Sequence, residues 1–214
     1  MKYFNMKNSI NLNIIGTFPQ IFQTEKNVFN SVFFPTKVIY GEIPEEIPYL
    51  ELEFNIKAKK TDLLSTTSPY FGLIVNRKLK SVILNFHLPS HKFYTFVLLE
   101  NKAKTEDYYW FNFYDDIFQY IDMEKSKFRM KRRDVVEEFS FTSKDFFLSK
   151  NKETFEDFEK TLKITEIHLL ETFPKYDIFA FEGKTLISER LLSALQENNI
   201  TGYEVSEYDI LKME

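Results

Sequence analysis

The run YYWFNFY at residues 108–114 constrains this chain more than any other stretch. All but one of its side chains are aromatic, so a strand made from it is apolar on both faces and needs cover above and below. It predicts a central strand in a layered fold. Aromatic side chains are plentiful elsewhere, with 24 Phe and 12 Tyr in 214 residues. Each buried ring removes about 150–250 Å² from water. A chain of this length buries roughly 70% of its unfolded surface without disulfides or metals, and its aromatic content excludes a disordered chain.

A strand–helix–strand pattern occurs twice, at residues 72–94 and 185–205. In the second, Ser188 is suited to cap a helix, with Glu189 placed favourably against the helix dipole. Ile187 and Leu192 can staple the entry, and Leu191, Leu192 and Leu195 form an apolar stripe at helical spacing. Asn198 and Asn199 end the helix, and a strand follows a Gly-containing turn. Overlaying the first unit sets Arg77 on Arg190, Leu79 on Leu192 and Val82 on Leu195. That register puts Val75 at the position of Ser188, with Asn76 as a substitute cap, and needs a few residues inserted in the following turn. The match fits either a duplication or two elements selected for the same packing.

Residues 10–60 read as strands and turns punctuated by Pro19, Pro35, Pro44 and Pro48, with strands at 37–43 and 49–60. In the latter, Leu50, Leu52, Phe54 and Ile56 alternate with Glu51, Glu53, Asn55 and Lys57. After the aromatic strand, DDIFQYI predicts a short turn or helix. Strands are expected over 127–141 and at 144–150, then a charged loop, then strands near Ile164–Ile167 and Tyr176–Phe181 with a hairpin turn at Glu182–Gly183. Strands outnumber helices in mixed order. The expected class is α+β, with mixed, largely antiparallel sheets and a few helices packed on one face. One domain over 1–214 is expected. Its one candidate subdivision is an N-terminal β-rich lobe over 1–65, joined through a polar segment at 61–69 to the region 66–214.

Reactive chemistry is hard to place. Without Cys there is no disulfide, thiolate nucleophile or cysteine-ligated zinc. His87 and His91 have metal-ligand spacing for a helix, but Pro89 between them breaks that geometry. Asp115, Asp116, Asp122 and Glu124 read as turn and cap formers rather than a catalytic pair. Neither a nucleophile elbow nor a Gly-rich phosphate loop occurs. The basic stretch FRMKRR runs directly into RDVVEEF, so it reads as the solvated face of a hairpin, and nucleic acid is not an expected partner. Catalytic, cofactor-binding and metal-binding residues are therefore not predicted. The start lacks an apolar signal core and no apolar run is long enough to span a membrane, so a soluble, cytoplasmic protein is expected. The net charge of −4 is unevenly spread. From residue 153 onward there are 14 acids and 6 bases, against 18 and 22 before it. An acidic third of this kind suits a basic partner.

Three stretches carry a resemblance: YFGLIVNRKLKSVILNFHLPSHKFY, DYYWFNFYDDIFQYIDMEKSKF and YDIFAFEGKTLISERLLSALQENNITGYEV. Together they resemble the bacterial polymorphic-toxin immunity proteins of immunity family eleven, formerly a domain of unknown function. The resemblance covers about residues 70–128 and 164–205 and does not extend to 1–65. It implies a cytoplasmic protein that neutralises a cognate antibacterial toxin, with no cofactor and no catalytic residues of its own. A basic toxin would be met by the carboxylates Glu189, Glu197, Glu204, Glu207 and Asp209, with Tyr203 and Tyr208 as aromatic anchors. Two other readings stay open: an adaptor or chaperone for a secreted effector, and an enzyme whose site gathers Asp115, Asp116, Asp122 and the histidines.

Overall fold

The structure is a computed structural model that describes residues 1–24, 40–47, 49–67, 69–105, 107–140 and 142–213. It is α+β, with four mostly antiparallel four-stranded sheets and four α-helices among the described residues. Two compact units divide the chain, and both are discontinuous in sequence. The larger takes Lys2–Asp115 and Tyr176–Glu207; the smaller takes Asp116–Lys175 and Tyr208–Glu214, with Met1. No helix among the described residues is long and apolar enough to cross a membrane.

Strands are numbered along the chain. In the larger unit one sheet has the order β4 (Leu63–Leu64), β5 (Leu73–Asn76), β9 (Tyr108–Tyr114), β6 (Ser90–Tyr94). A second has the order β13 (Ile178–Phe181), β14 (Lys184–Ser188), β1 (Tyr3–Asn8), β15 (Tyr203–Glu207). Their topology is the same. Two antiparallel strands lead into a helix, Arg77–Ile83 or Glu189–Glu197, and the chain returns as the far edge strand. The gap is filled by a strand antiparallel to both neighbours, β9 in one case and β1 in the other. Asn76 pairs with Tyr108 and Ser188 with Tyr3, so the two sheets correspond residue for residue at the helix entry.

This correspondence corrects the sequence overlay by one residue. The caps are Asn76, whose side chain accepts from the Leu79 N–H, and Ser188, whose side chain accepts from the Leu191 N–H. Leu79 therefore matches Leu191, Ile83 matches Leu195, and Lys78 rather than Arg77 matches Arg190. No insertion is needed, because Lys92 pairs beside β9 as Glu204 pairs beside β1. Matching hydrophobic letters favoured the wrong register; the cap hydrogen bond fixes the right one.

A third sheet, β2 (Ile21–Gln23), β3 (Glu51–Phe54), β7 (Val97–Glu100) and β8 (Ala103–Thr105), belongs to the same unit. The aromatic strand β9 is covered on both faces, as its composition requires. Phe111 and Phe113 join a core with Leu79, Ile83, Leu191 and Leu195 from the two helices. Tyr108 and Trp110 join another with Leu52 and Leu98 from the third sheet.

Three local expectations are revised. The strand expected at 49–60 stops at Phe54, leaving Ile56 90% exposed, while Glu51 is buried and accepts from Thr24 and Tyr49. Within the polar segment expected at 61–69, residues 62–65 are built into the fold: Leu63 and Leu64 are fully buried, and Asp62 and Ser65 are tied by hydrogen bonds. Of the strand expected at 37–43, residues 37–39 lie outside the described residues, and Tyr40–Gly41 form a turn. Residues 2–65 supply strands to all three sheets of the larger unit.

The smaller unit is a sheet of order β11 (Val135–Ser140), β10 (Lys127–Arg132), β12 (Lys160–Leu169), β16 (Leu211–Met213). The segment expected as a strand and charged loop is instead a helix, Lys144–Glu156. Adjacent Phe146 and Phe147 suggest a strand, but Ser143 caps the Phe146 N–H and Asp145 sits in the first turn. Only Phe147 is buried on this helix, packing edge-on against Phe128 at 5.4 Å. Tertiary contact at one ring decides between two local patterns.

Candidate functional site

Each of the two related sheets is closed by a buried aspartate directly before its first strand, Asp62 before β4 and Asp177 before β13. Asp177 accepts from the Ser188 hydroxyl at 2.5 Å and from the Arg190 guanidinium at 2.6 Å. Asp62 accepts from the Asn76 amide at 2.9 Å and lies 4.0 Å from Lys78. Each aspartate thus grips the helix cap of its own repeat. Its second oxygen grips the loop after the other repeat's helix: Asp177 accepts from the His87 N–H, and Asp62 from the Thr201 N–H and hydroxyl. Burial by itself raises the Asp177 carboxyl. Hydrogen bonds from Arg190, Ser188 and the His87 N–H outweigh it and hold the group below the usual carboxylate range. Tyr3 and Tyr108 occupy equivalent places and donate to the carbonyls of Tyr176 and Thr61, each just before the aspartate. Burial raises both phenols.

On this shared scaffold the two repeats carry opposite charge. Between Leu73 and Tyr94 the charged residues are Arg77, Lys78, Lys80 and Lys92, with no acid. Between Thr185 and Glu207 they are Glu189, Glu197, Glu204 and Glu207, with Arg190 the one base. Position for position, Arg77 becomes Glu189 and Lys92 becomes Glu204. Lys80 sits 3.8 Å from the Tyr109 ring centre, a cation–π contact. Its counterpart Leu192 is buried in the core.

The expected partner-facing residues divide between the units. Glu189 and Glu197 are exposed at the two ends of the Glu189–Glu197 helix. Tyr203, Glu204 and Glu207 lie on β15, which ends its sheet and is exposed from Glu204 onward. Tyr203 is half-buried against the helix core. Glu207 pairs with Lys2 at 2.6 Å. Glu204 accepts from the Ile10 N–H at 3.0 Å and the Ser9 hydroxyl at 2.9 Å, which hold its carboxyl below the usual range. Part of its acceptor capacity serves a local turn. Asp209 is exposed and Tyr208 buried, both in the smaller unit. A buried ring offers no surface anchor, which corrects the expectation for Tyr208.

The residues weighed for catalysis serve local structure. Asp116 caps the 3-10 turn Ile117–Tyr120 and pairs with Lys144 at 2.6 Å, and Asp122 caps the turn at Glu124–Lys125. Asp115 accepts from the Tyr176 hydroxyl. His87 packs on Tyr176, His91 bonds the Pro89 carbonyl, and His168 meets Glu166. On β10, Phe128 and Met130 are buried while Lys127, Arg129, Lys131 and Arg132 are exposed, with Arg132 and Arg133 paired to Asp157 and Glu159. That is the solvated hairpin face expected of FRMKRR. The aspartate grips escaped the sequence reading, because Asp followed by two apolar residues, as in Asp62-Leu63-Leu64 and Asp177-Ile178-Phe179, also occurs at Asp116, Asp134, Asp145 and Asp209. No family model and no curated protein matches the chain.

Proposed function

We propose that this protein is a cytoplasmic immunity factor that binds a cognate antibacterial toxin and covers its active site. Supporting this reading most directly is the charge contrast between the repeats. One scaffold, built twice, carries basic groups in its first copy and carboxylates at equivalent and neighbouring positions in its second. A fold needs no such reversal, whereas a surface that captures a basic partner benefits through faster, oriented association. The acidic contact comprises Glu189 and Glu197 on the helix and Glu204 and Glu207 on β15. The sequence resemblance to polymorphic-toxin immunity proteins points the same way. Co-expression with the toxin encoded beside it is the test. Restored growth with a stoichiometric complex is expected; a complex that leaves the toxin active favours an adaptor, and unrescued growth with no complex refutes both.

A further inference from the structure

Strand β15 ends its sheet, pairing with β1 on one side and with no described strand on the other. The Ser9 N–H donates to the Gly202 carbonyl at 2.8 Å, and the antiparallel register runs on from that pair through Lys7–Glu204 to Asn5–Ser206. Backbone groups of an antiparallel strand face opposite sides at successive residues. Those of Glu204 and Ser206 therefore face β1. Those of Tyr203, Val205 and Glu207 face outward, and none of these three has a backbone partner there among the described residues. The strand is exposed from Glu204 onward, with Val205 38% exposed. An edge of this kind is a template for one more strand.

The side chains select which strand fits. Toward the open edge, Glu204 and Ser206 take the non-hydrogen-bonded positions, where facing side chains approach most closely. On the β1 side Glu204 lies opposite Lys7. A cation on the incoming strand opposite Glu204 extends this into a row of alternating charge across three strands, which is favourable. On the other face Val205 offers an apolar contact beside half-buried Tyr203. Glu207 pairs with Lys2, but their side chains stay 59% and 48% exposed, and so open an ion pair leaves the carboxylate able to take a second cation. A second copy of the chain fits poorly, because β15 paired with itself gathers two Glu204 and two Glu207 on one seam.

We infer that β15 receives an extended basic strand of the partner, with Lys or Arg opposite Glu204, an apolar residue opposite Val205 and a second cation opposite Glu207. This rests on the toxin-binding reading and gives that contact its form. Val205→Pro tests it by removing one outward N–H, a change that an edge strand tolerates where the N–H faces solvent. Binding to the toxin encoded beside this chain should weaken by about tenfold or more, with the thermal midpoint of the free variant close to that of the wild type. Residue-resolved amide hydrogen exchange on the wild-type chain is the second measurement. The Val205 and Glu207 amides should exchange rapidly in the free chain and slow by about a hundredfold in the complex, while Glu204 and Ser206 stay slow in both. A complex that leaves Val205 and Glu207 exchange unchanged, or that the proline variant forms with wild-type affinity, overturns strand addition and leaves the toxin-binding reading standing. Absence of any complex overturns both. Protection of the same amides by self-association of the free chain gives the edge to a second copy and overturns the basic strand as its occupant.

Discussion

Asp177 concentrates more structural duty than any other side chain of the C-terminal repeat. It is buried, it joins the Ser188 cap to Arg190, and it holds the His87 backbone. Asp177→Ala should cost about 2–3 kcal/mol in urea unfolding, somewhat less than for a fully buried pair because Arg190 remains largely exposed. The pH dependence follows from the depressed carboxyl. A carboxyl held lower in the folded than in the unfolded chain contributes fully at neutral pH. That contribution fades as pH falls below the ordinary value of about 3.9 and through the folded one. Asp177→Asn should therefore lose stability at pH 7 and show a flatter acid limb than the native chain; parallel acid limbs in pH-dependent urea titrations would refute this.

The helices differ sharply in how they are held. In the C-terminal repeat, Leu191, Leu192 and Leu195 are all buried, whereas the Lys144–Glu156 helix buries only Phe147 and leaves Phe155 72% exposed. Leu195→Ala should cost about 2–5 kcal/mol, and Phe155→Ala should stay within about 0.5 kcal/mol, both read from denaturation midpoints at constant slope. The matched caps allow a sharper test of the repeat. Asn76→Ala and Ser188→Ala should each cost about 1–2 kcal/mol, and Asn76→Ser should recover most of the loss, since serine caps equally well. Failure of that rescue would argue that the Asp62 bond to the Asn76 amide matters more than the cap.

For the molecule as a whole, the charge contrast between the repeats predicts kinetics more than affinity. If the proposed toxin is the partner, Glu189→Lys with Glu197→Lys should slow association with it about tenfold at low salt and leave dissociation nearly unchanged, with the difference shrinking as salt rises. Surface plasmon resonance across ionic strength checks this. A change confined to dissociation would place these carboxylates in close contact rather than in steering.

The α+β class, the central aromatic strand, the Ser188 cap, the Leu191/Leu192/Leu195 stripe and the Glu182–Gly183 hairpin turn are local matters. Side-chain period, cap chemistry and tolerance of positive φ set them within a few residues, so they could be read from the letters alone. Burial of Glu51, exposure of Ile56 and the helical state of 144–156 were not legible. Each depends on partners distant in sequence, such as Thr24 for Glu51 and Phe128 for Phe147. The pairing of β1 with β14 and β15 joins chain segments some 180–200 residues apart. That closure, with the reciprocal aspartate grips it permits, belongs to tertiary structure, because no local preference can specify which strand fills a gap left by another part of the chain.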